Sequence, residues 1–261
     1  MRRAQMAISI SVLGVMEIGD GRTCVPLGGP GQRRLLCALL ERQGWVVPSG
    51  DLIGELWPAA RPRGVQEALY VQVSRLRRVL SSFGDAEVLL LSRTPGYVLK
   101  LPSGCVDADR FRQLCTAAEG HRRADPAAAA DLYDQALGLW RGPAFQDVPA
   151  GPIRDKSVDR LATERRLAVS RLAELQVGLG RCDEAIALLE GLALRHPLDE
   201  RVCLQLMAAF DRVGRAGDAL DAYQRTRASL ITELGVSPSP LLESGLRGLL
   251  ERTGETKSCG G

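Results

Sequence analysis

The stretch that decides the fold is VQEALYVQVSRLRRVL (65–80), followed after a short polar break by VLLLSRTPGYVLK (88–100). Leu69, Val73, Leu76 and Leu80 recur at intervals of four, three and four. They therefore share one stripe of a 3.6-residue helix and face a core. The other faces carry Gln66, Glu67, Tyr70, Gln72, Ser74, Arg75, Arg77 and Arg78. Guanidinium forks match both phosphates and the O6/N7 edge of guanine, so the mixture suits a surface that meets nucleic acid. It equally suits a plain solvated helix, because basic residues near a C-terminal end complement the macrodipole.

The flanking sequence narrows the choice. Val88 to Leu91 and Tyr97 to Lys100 are strand-like runs around Ser92-Arg93-Thr94-Pro95-Gly96, a turn composition that closes a hairpin with Arg93 at or near its tip. An arginine there either solubilises a turn or enters a minor groove, where negative potential concentrates. Upstream, Arg33 to Gly44 reads as a helix with a C-terminal glycine, and Trp45-Val46-Val47 is short and β-like. Ser49 can cap a second short helix, Asp51 to Trp57, which stops at Pro58. Arg33 and Arg34 place positive charge against the dipole at a helix start, which points to a polyanion. Ile8, Ile10 and Val12 alternate with serines, and Asp20-Gly21 is a hairpin signal, so an antiparallel sheet precedes the helices. Sheet, three helices and a terminal hairpin describe a winged helix-turn-helix, with residues 65–80 as its recognition helix.

In this order and wording, residues 8–101 resemble the OmpR/PhoB type of winged helix. GGPGQRRLLCALLERQGWVVPSGDLIGELWP, ALYVQVSRLRRVL and TPGYVL are similar to the Streptomyces antibiotic regulatory protein family. The resemblance implies base reading by Arg75, phosphate contact by Arg77 with Arg78, a backbone-contacting tryptophan at Trp57, and a basic wing residue at Arg93. Trp57 also has a core reading, since its large apolar area favours burial. At Gln72 and Ser74 the chain departs from the arginine or histidine frequent in the wider type, which leaves their base preferences open.

Charge is distributed accordingly. Residues 1–102 hold 13 Lys and Arg against 8 Asp and Glu, and residues 103–261 hold 21 against 23, so an overall +3 conceals a basic N-terminal part. The seven cysteines are odd in number and form no Cys-x-x-Cys pair, which reads as reduced, mostly buried thiols. The two histidines, His121 and His196, lie far apart without ligand spacing, so neither a metal site nor an enzyme is expected, and no cofactor. Gly28-Gly29-Pro30-Gly31 lacks the Lys-Ser/Thr of a phosphate-binding loop. The apolar run after Met1 is interrupted by Ser9 and Ser11, so a strand is expected there rather than an export signal or membrane anchor.

From Asp107 the sequence turns helical. Leu101-Pro102-Ser103-Gly104 reads as a linker. Asp125-Pro126 is an N-cap with proline at the first helical position, opening a helix from Ala127 to Trp140. Residues 152–179 form a long helix with Leu161, Leu167, Val169, Leu172, Leu175 and Leu179 on its apolar side. Gly180-Arg181-Cys182-Asp183-Glu184-Ala185-Ile186 matches Gly214-Arg215-Ala216-Gly217-Asp218-Ala219-Leu220 at an offset of 34, the tetratricopeptide period.

The second half, including LWRGPAF and HPLDERVCLQLMAAFDRVGRAGDALDAYQRTRASLITELGVSPSPLL, is similar to the bacterial transcriptional activation domain of the same family. The fold class expected is an α+β winged helix-turn-helix followed by an all-α tetratricopeptide-like domain. The expected division is 1–102, 103–254 and a tail at 255–261. The resemblance implies a compact cytoplasmic, nucleoid-associated activator of a biosynthetic gene cluster, without a further ATPase or phosphopeptide domain. It further implies a homodimer on promoter direct repeats of double-stranded DNA, and contact with the sigma region of RNA polymerase holoenzyme. A protein-binding helical-repeat adaptor and a repressor using the same DNA module are the competing readings.

Overall fold

The computed structural model describes residues 8–83 and 89–258, with side chains to residue 252. Val88 and Cys259 lie outside the described residues. The chain divides into two compact units. The first holds the described residues to Leu114 together with Gly138–Glu164; the second holds Cys115–Leu137 and the chain from Arg165 onward. This division differs from the linear break expected at residues 102/103, because a segment far along the sequence packs with the N-terminal one.

The first unit opens with strands β1 (Ser9–Ser11), β2 (Glu17–Gly19) and β3 (Cys24–Val25) in an antiparallel sheet of that order. Helices α1 (Pro30–Glu41), α2 (Ser49–Leu56) and α3 (Val65–Leu80) follow, with the short strand β4 (Val47–Pro48) between α1 and α2. Strands β5 (Leu90–Arg93) and β6 (Gly96–Leu99) form the expected hairpin. Its second sheet has the order β4-β6-β5, all antiparallel. Leu35, Leu36 and Leu39 of α1, Leu52 and Leu56 of α2, and the Leu69/Val73/Leu76/Leu80 stripe of α3 are all buried, as periodicity requires.

Local boundaries shift where capping differs from expectation. Pro30 sits in the first turn of α1, where its missing N–H is not needed, so α1 starts earlier than Arg33. Ser49 is the first residue of α2 rather than its cap; Pro48 takes the cap position and no side chain caps the helix.

Segments from beyond the winged helix complete this unit. Val106 bridges in parallel to Ile10, and Asp107 accepts the backbone N–H groups of Val12 (2.8 Å) and Leu13 (3.1 Å). Burial pushes the Asp107 carboxyl up, against the pull of those two N–H donors and Arg141. Residues 138–164, which run into α6 (Pro152–Gly178), form a strap against the β1–β2 connection: Arg141, Phe145 and Gln146 donate backbone N–H groups to Leu13, Val12 and Gly14. Asp147 accepts from the Met16 N–H at 2.8 Å, and Phe111 meets Trp140 edge to face at 5.5 Å.

The second unit is helical: the end of α4 (Asp107–His121), α5 (Pro126–Leu137), the latter part of α6 (Pro152–Gly178), α7 (Cys182–Arg195), α8 (Glu200–Arg212), α9 (Ala216–Ser229), a π-helical turn (Leu230–Leu234) and α10 (Pro240–Ser258). Its core gathers Ala185, Ile186, Leu189, Leu206, Phe210, Ala219, Tyr223 and Leu242. The 34-residue repeat is visible in backbone geometry. Gly180 (φ +78°) and Gly214 (φ +73°) each take the left-handed conformation. The following arginine then donates its N–H back to the helix, Arg181 to Gln176 (2.8 Å) and Arg215 to Phe210 (2.9 Å). A Cβ on Gly214 would touch nothing within 4 Å, so only its φ demands glycine. Gly214→Ala is thus expected to cost about 1 kcal/mol. A thermal melt with Tm unchanged from the parent would show that the turn tolerates an L residue.

Two other expectations change here. α5 ends at Leu137 rather than Trp140, and Leu167 is exposed on α6 although it fits the apolar periodicity. Asp125 accepts from the Ala128 N–H as the expected cap. Cys37, Cys182 and Cys203 are buried free thiols, while Cys24 is exposed. No helix among the described residues is long and apolar enough to cross a membrane.

Candidate nucleic-acid interface

The left-handed conformation of Gly64 (φ 69°) sets the start of α3, and no side chain caps its first turn. With the leucine-valine stripe buried, the opposite face presents Glu67, Tyr70, Val71, Ser74, Arg75 and Arg78 to solvent. Tyr70 is 63% exposed and Val71 44% exposed. Arg75 and Arg78 make no ion pair among the described residues.

The wing stands at the end of this helix. In the register of β5 and β6, Ser92 faces Tyr97 and Arg93 faces Gly96, leaving Thr94 and Pro95 as the turn. Ser92, Arg93, Thr94 and Pro95 are all exposed, and Arg93 has no carboxylate partner among the described residues. Gly96 is needed for close approach: a Cβ there would fall 1.8 Å from the Val47 carbonyl oxygen, against which β6 pairs with β4. Arg75, Arg78, Arg93, Tyr70 and Ser74 therefore lie on exposed positions of one helix and the hairpin that follows it.

The remaining expected contacts are placed differently. Arg77 turns inward. Its Nε and Nη2 donate to the Leu90 carbonyl at 3.0 and 2.8 Å, and Nη2 also reaches Ser92 Oγ at 3.0 Å. Gln72 is half-buried with its amide against Gly31, at 3.2 Å from where a Cβ would stand. Trp57, the C-cap of α2, is half-buried, between its two expected roles.

Arg33 and Arg34 do not wait for a polyanion. Arg33 pairs with Asp147 at 2.7 Å and donates to the Gly28 carbonyl, while Arg34 donates to Leu56 O (3.1 Å) and Ala150 O (2.9 Å). Asp147 answers the charge of Arg33, while carbonyls of α2 and the strap hold the Arg34 guanidinium, so both basic residues have structural partners at this helix start.

Sequence reasoning missed two groups. Arg61 and Arg63, in the loop entering α3, are exposed and without a carboxylate partner among the described residues. The available signal was their position just before the recognition helix. Glu55 is fully buried and accepts the N–H groups of Ile153 (2.7 Å) and Arg154 (3.1 Å) at the start of α6. Nothing local to α2 announces that role. Glu41 likewise accepts from Ser157 Oγ (2.7 Å) and Arg160 (2.8 Å). Among the described residues no His, Cys, Asp and Glu cluster could hold a metal ion.

Comparison with known proteins places this geometry. Residues 25–99 match the family model described as transcriptional regulatory protein, C terminal, and residues 106–250 match the bacterial transcriptional activator domain. The chain is 37% identical to the transcriptional regulator RedD of Streptomyces coelicolor, over 90% of this chain and 68% of RedD. It is 39% identical to the regulatory protein AfsR of the same organism, over 91% of this chain but 24% of AfsR. Mycobacterium tuberculosis EmbR, in a structure with a low-affinity phosphopeptide, superposes with a TM-score of 0.88 at 32% identity, covering 94% of this chain and 65% of that one. The chain thus spans about two thirds or less of these relatives. Two family models in this order, over a sheet, three helices and a wing, show that the chain belongs to the Streptomyces antibiotic regulatory protein family, non-enzymatic DNA-binding transcriptional regulators that join an OmpR/PhoB-type winged helix to a bacterial transcriptional activator domain.

Proposed function

We propose that the protein activates transcription of a secondary-metabolite gene cluster by binding promoter direct repeats as a head-to-tail pair. Its helical domain then meets the sigma region of RNA polymerase holoenzyme. The observation that carries the DNA part is the exposed face of α3, where Arg75 and Arg78 stand without an ion-pair partner among the described residues beside an equally unpartnered Arg93. α3 lies in the major groove, Arg75 reads a base edge together with Ser74 and Tyr70, Arg78 grips phosphate, and Arg93 enters the adjacent minor groove. Arg61 and Arg63 add backbone contacts at the start of the helix. Activation is supported by the description of the matched helical family as a bacterial transcriptional activator domain, and control of transcription by the regulators RedD and AfsR. Work on chromosomal DNA would place the protein in the cytoplasm, at the nucleoid.

A mobility-shift titration on a duplex selected from a random-sequence library tests the assignment. Arg75→Ala is expected to lose roughly 1–3 kcal/mol of discrimination between selected and random DNA. Arg78→Ala should weaken both duplexes alike and reduce the salt slope by about one. Unchanged discrimination in Arg75→Ala would remove α3 as the base reader. Transcription in vitro with purified polymerase separates the two directions of control: stimulation supports activation, and repression from the same site overturns it.

A further inference from the structure

We propose that Arg77 is a positioning residue that docks the wing on the recognition helix, so that Arg93 reaches DNA only in the register Arg77 sets. The inference rests on the reading of α3 and the wing as the DNA reader, and it departs from the phosphate contact that family resemblance implies for Arg77.

Three arginines occupy the last two turns of α3, and they do different things. Arg75 and Arg78 are exposed, while Arg77 is half-buried and closes its guanidinium on β5. Two of its nitrogens converge on one carbonyl, that of Leu90, and one of them also holds Ser92 Oγ. Among the described residues it is the only α3 side chain hydrogen-bonded to β5.

The sheet order makes that bond consequential. β6 is central and is held by β4 through Val47 opposite Tyr97 and Pro48 opposite Gly96. β5 is the edge strand, paired on one side only, and it carries Arg93. Of its four residues only Leu90 is fully buried, so the outer end of this edge strand, Ser92 and Arg93, is the least constrained part of the sheet. Arg77 anchors that free side at both Leu90 and Ser92, the latter adjacent to Arg93. The planar fork brings Nε and Nη2 together onto the Leu90 carbonyl while Nη2 also holds Ser92 Oγ; a lysine has a single nitrogen on a freely rotating stem, so it loses the two-pronged hold that fixes the direction of the contact. Beyond its pairing with β6 and the burial of Leu90, the placement of the wing against α3 is therefore held by one side chain, Arg77, which in this reading touches no DNA.

Hydroxyl-radical footprinting and titration of the full chain on a duplex selected from a random library test this. Arg77→Lys keeps the charge, so a phosphate contact would survive it. The expected result is loss of protection at the wing end of the footprint, with protection over the α3 contacts retained. Arg93→Ala should then weaken binding about fivefold in the parent but less than about twofold in Arg77→Lys, because the two residues act as one unit. Ser92→Ala, an exposed change, should give a partial version of the same loss. Independent, multiplying effects of Arg77→Lys and Arg93→Ala, with the wing footprint intact, would overturn the proposal. If Arg77→Lys does not fold, the cycle of Ser92→Ala with Arg93→Ala decides: coupling supports the proposal and independence overturns it. A parent protein that binds no duplex at all would instead fail the DNA reading on which the inference stands.

Discussion

Glu55→Ala is expected to destabilise the protein by about 2–4 kcal/mol, one of the largest single effects available outside the aliphatic core. The carboxylate is fully buried and accepts two backbone N–H groups in the first turn of α6, where a negative charge also faces the positive end of the helix dipole. Gly151 is seated so closely that a Cβ on it would lie 2.4 Å from Glu55 Oε1, so the carboxylate packs directly against the start of α6. Alanine leaves both donors without an acceptor. Glu55→Gln keeps one accepting oxygen but loses the charge, and should cost about half as much. Urea unfolding of the full chain is the measurement; an alanine variant with the parent's midpoint would mean that α6 begins equally well without this cap.

Leu76→Ala should cost about 2–5 kcal/mol, since it empties a fully buried position in the stripe that seats α3 on its neighbours. Against a typical stability of roughly 5–15 kcal/mol, such a loss raises the unfolded population at least about thirtyfold and brings the melt to lower temperature. Affinity for DNA should fall on warming well before the parent's does, while discrimination between selected and random duplexes in the folded fraction persists. That separates Leu76 from Arg75, whose replacement should leave the melt unchanged and alter discrimination alone. A Leu76→Ala variant that melts with the parent would show that the α3 stripe does not carry the packing assigned to it.

The parts of the fold legible in the sequence are those with local causes. α3 runs from Val65 to Leu80 as its stripe predicts, because apolar spacing and the glycine before it are written within the segment itself. The repeat turns at Gly180 and Gly214 were visible for the same reason: a left-handed residue needs glycine wherever the turn occurs. The wing was located but its strands were displaced, since Gly96 looks like a turn residue and becomes part of β6 only through its approach to Val47, far away in sequence. Arg33, Arg34 and Arg77 illustrate the larger difficulty. Each is a basic residue in a basic module, and whether it faces DNA depends on Asp147, Ala150 or Leu90, partners that periodicity within a helix does not reveal. Exposure of the whole set was therefore a fair expectation from sequence, and tertiary bonding selects which members remain free.

The strap has a consequence for how such regulators can be recombined. Because the chain crosses between its compact units three times, at residues 114/115, 137/138 and 164/165, the DNA-reading half is not a bead that one scissor cut releases. A fragment ending at residue 102 would lack Asp107, Asp147 and the start of α6, leaving the Val12 and Leu13 N–H groups, Arg33 and Glu55 without the groups that satisfy them. Chimeras that graft a new reading head onto an existing helical domain should therefore exchange the head through Leu114 together with residues 138–164, as two matched pieces of one lock.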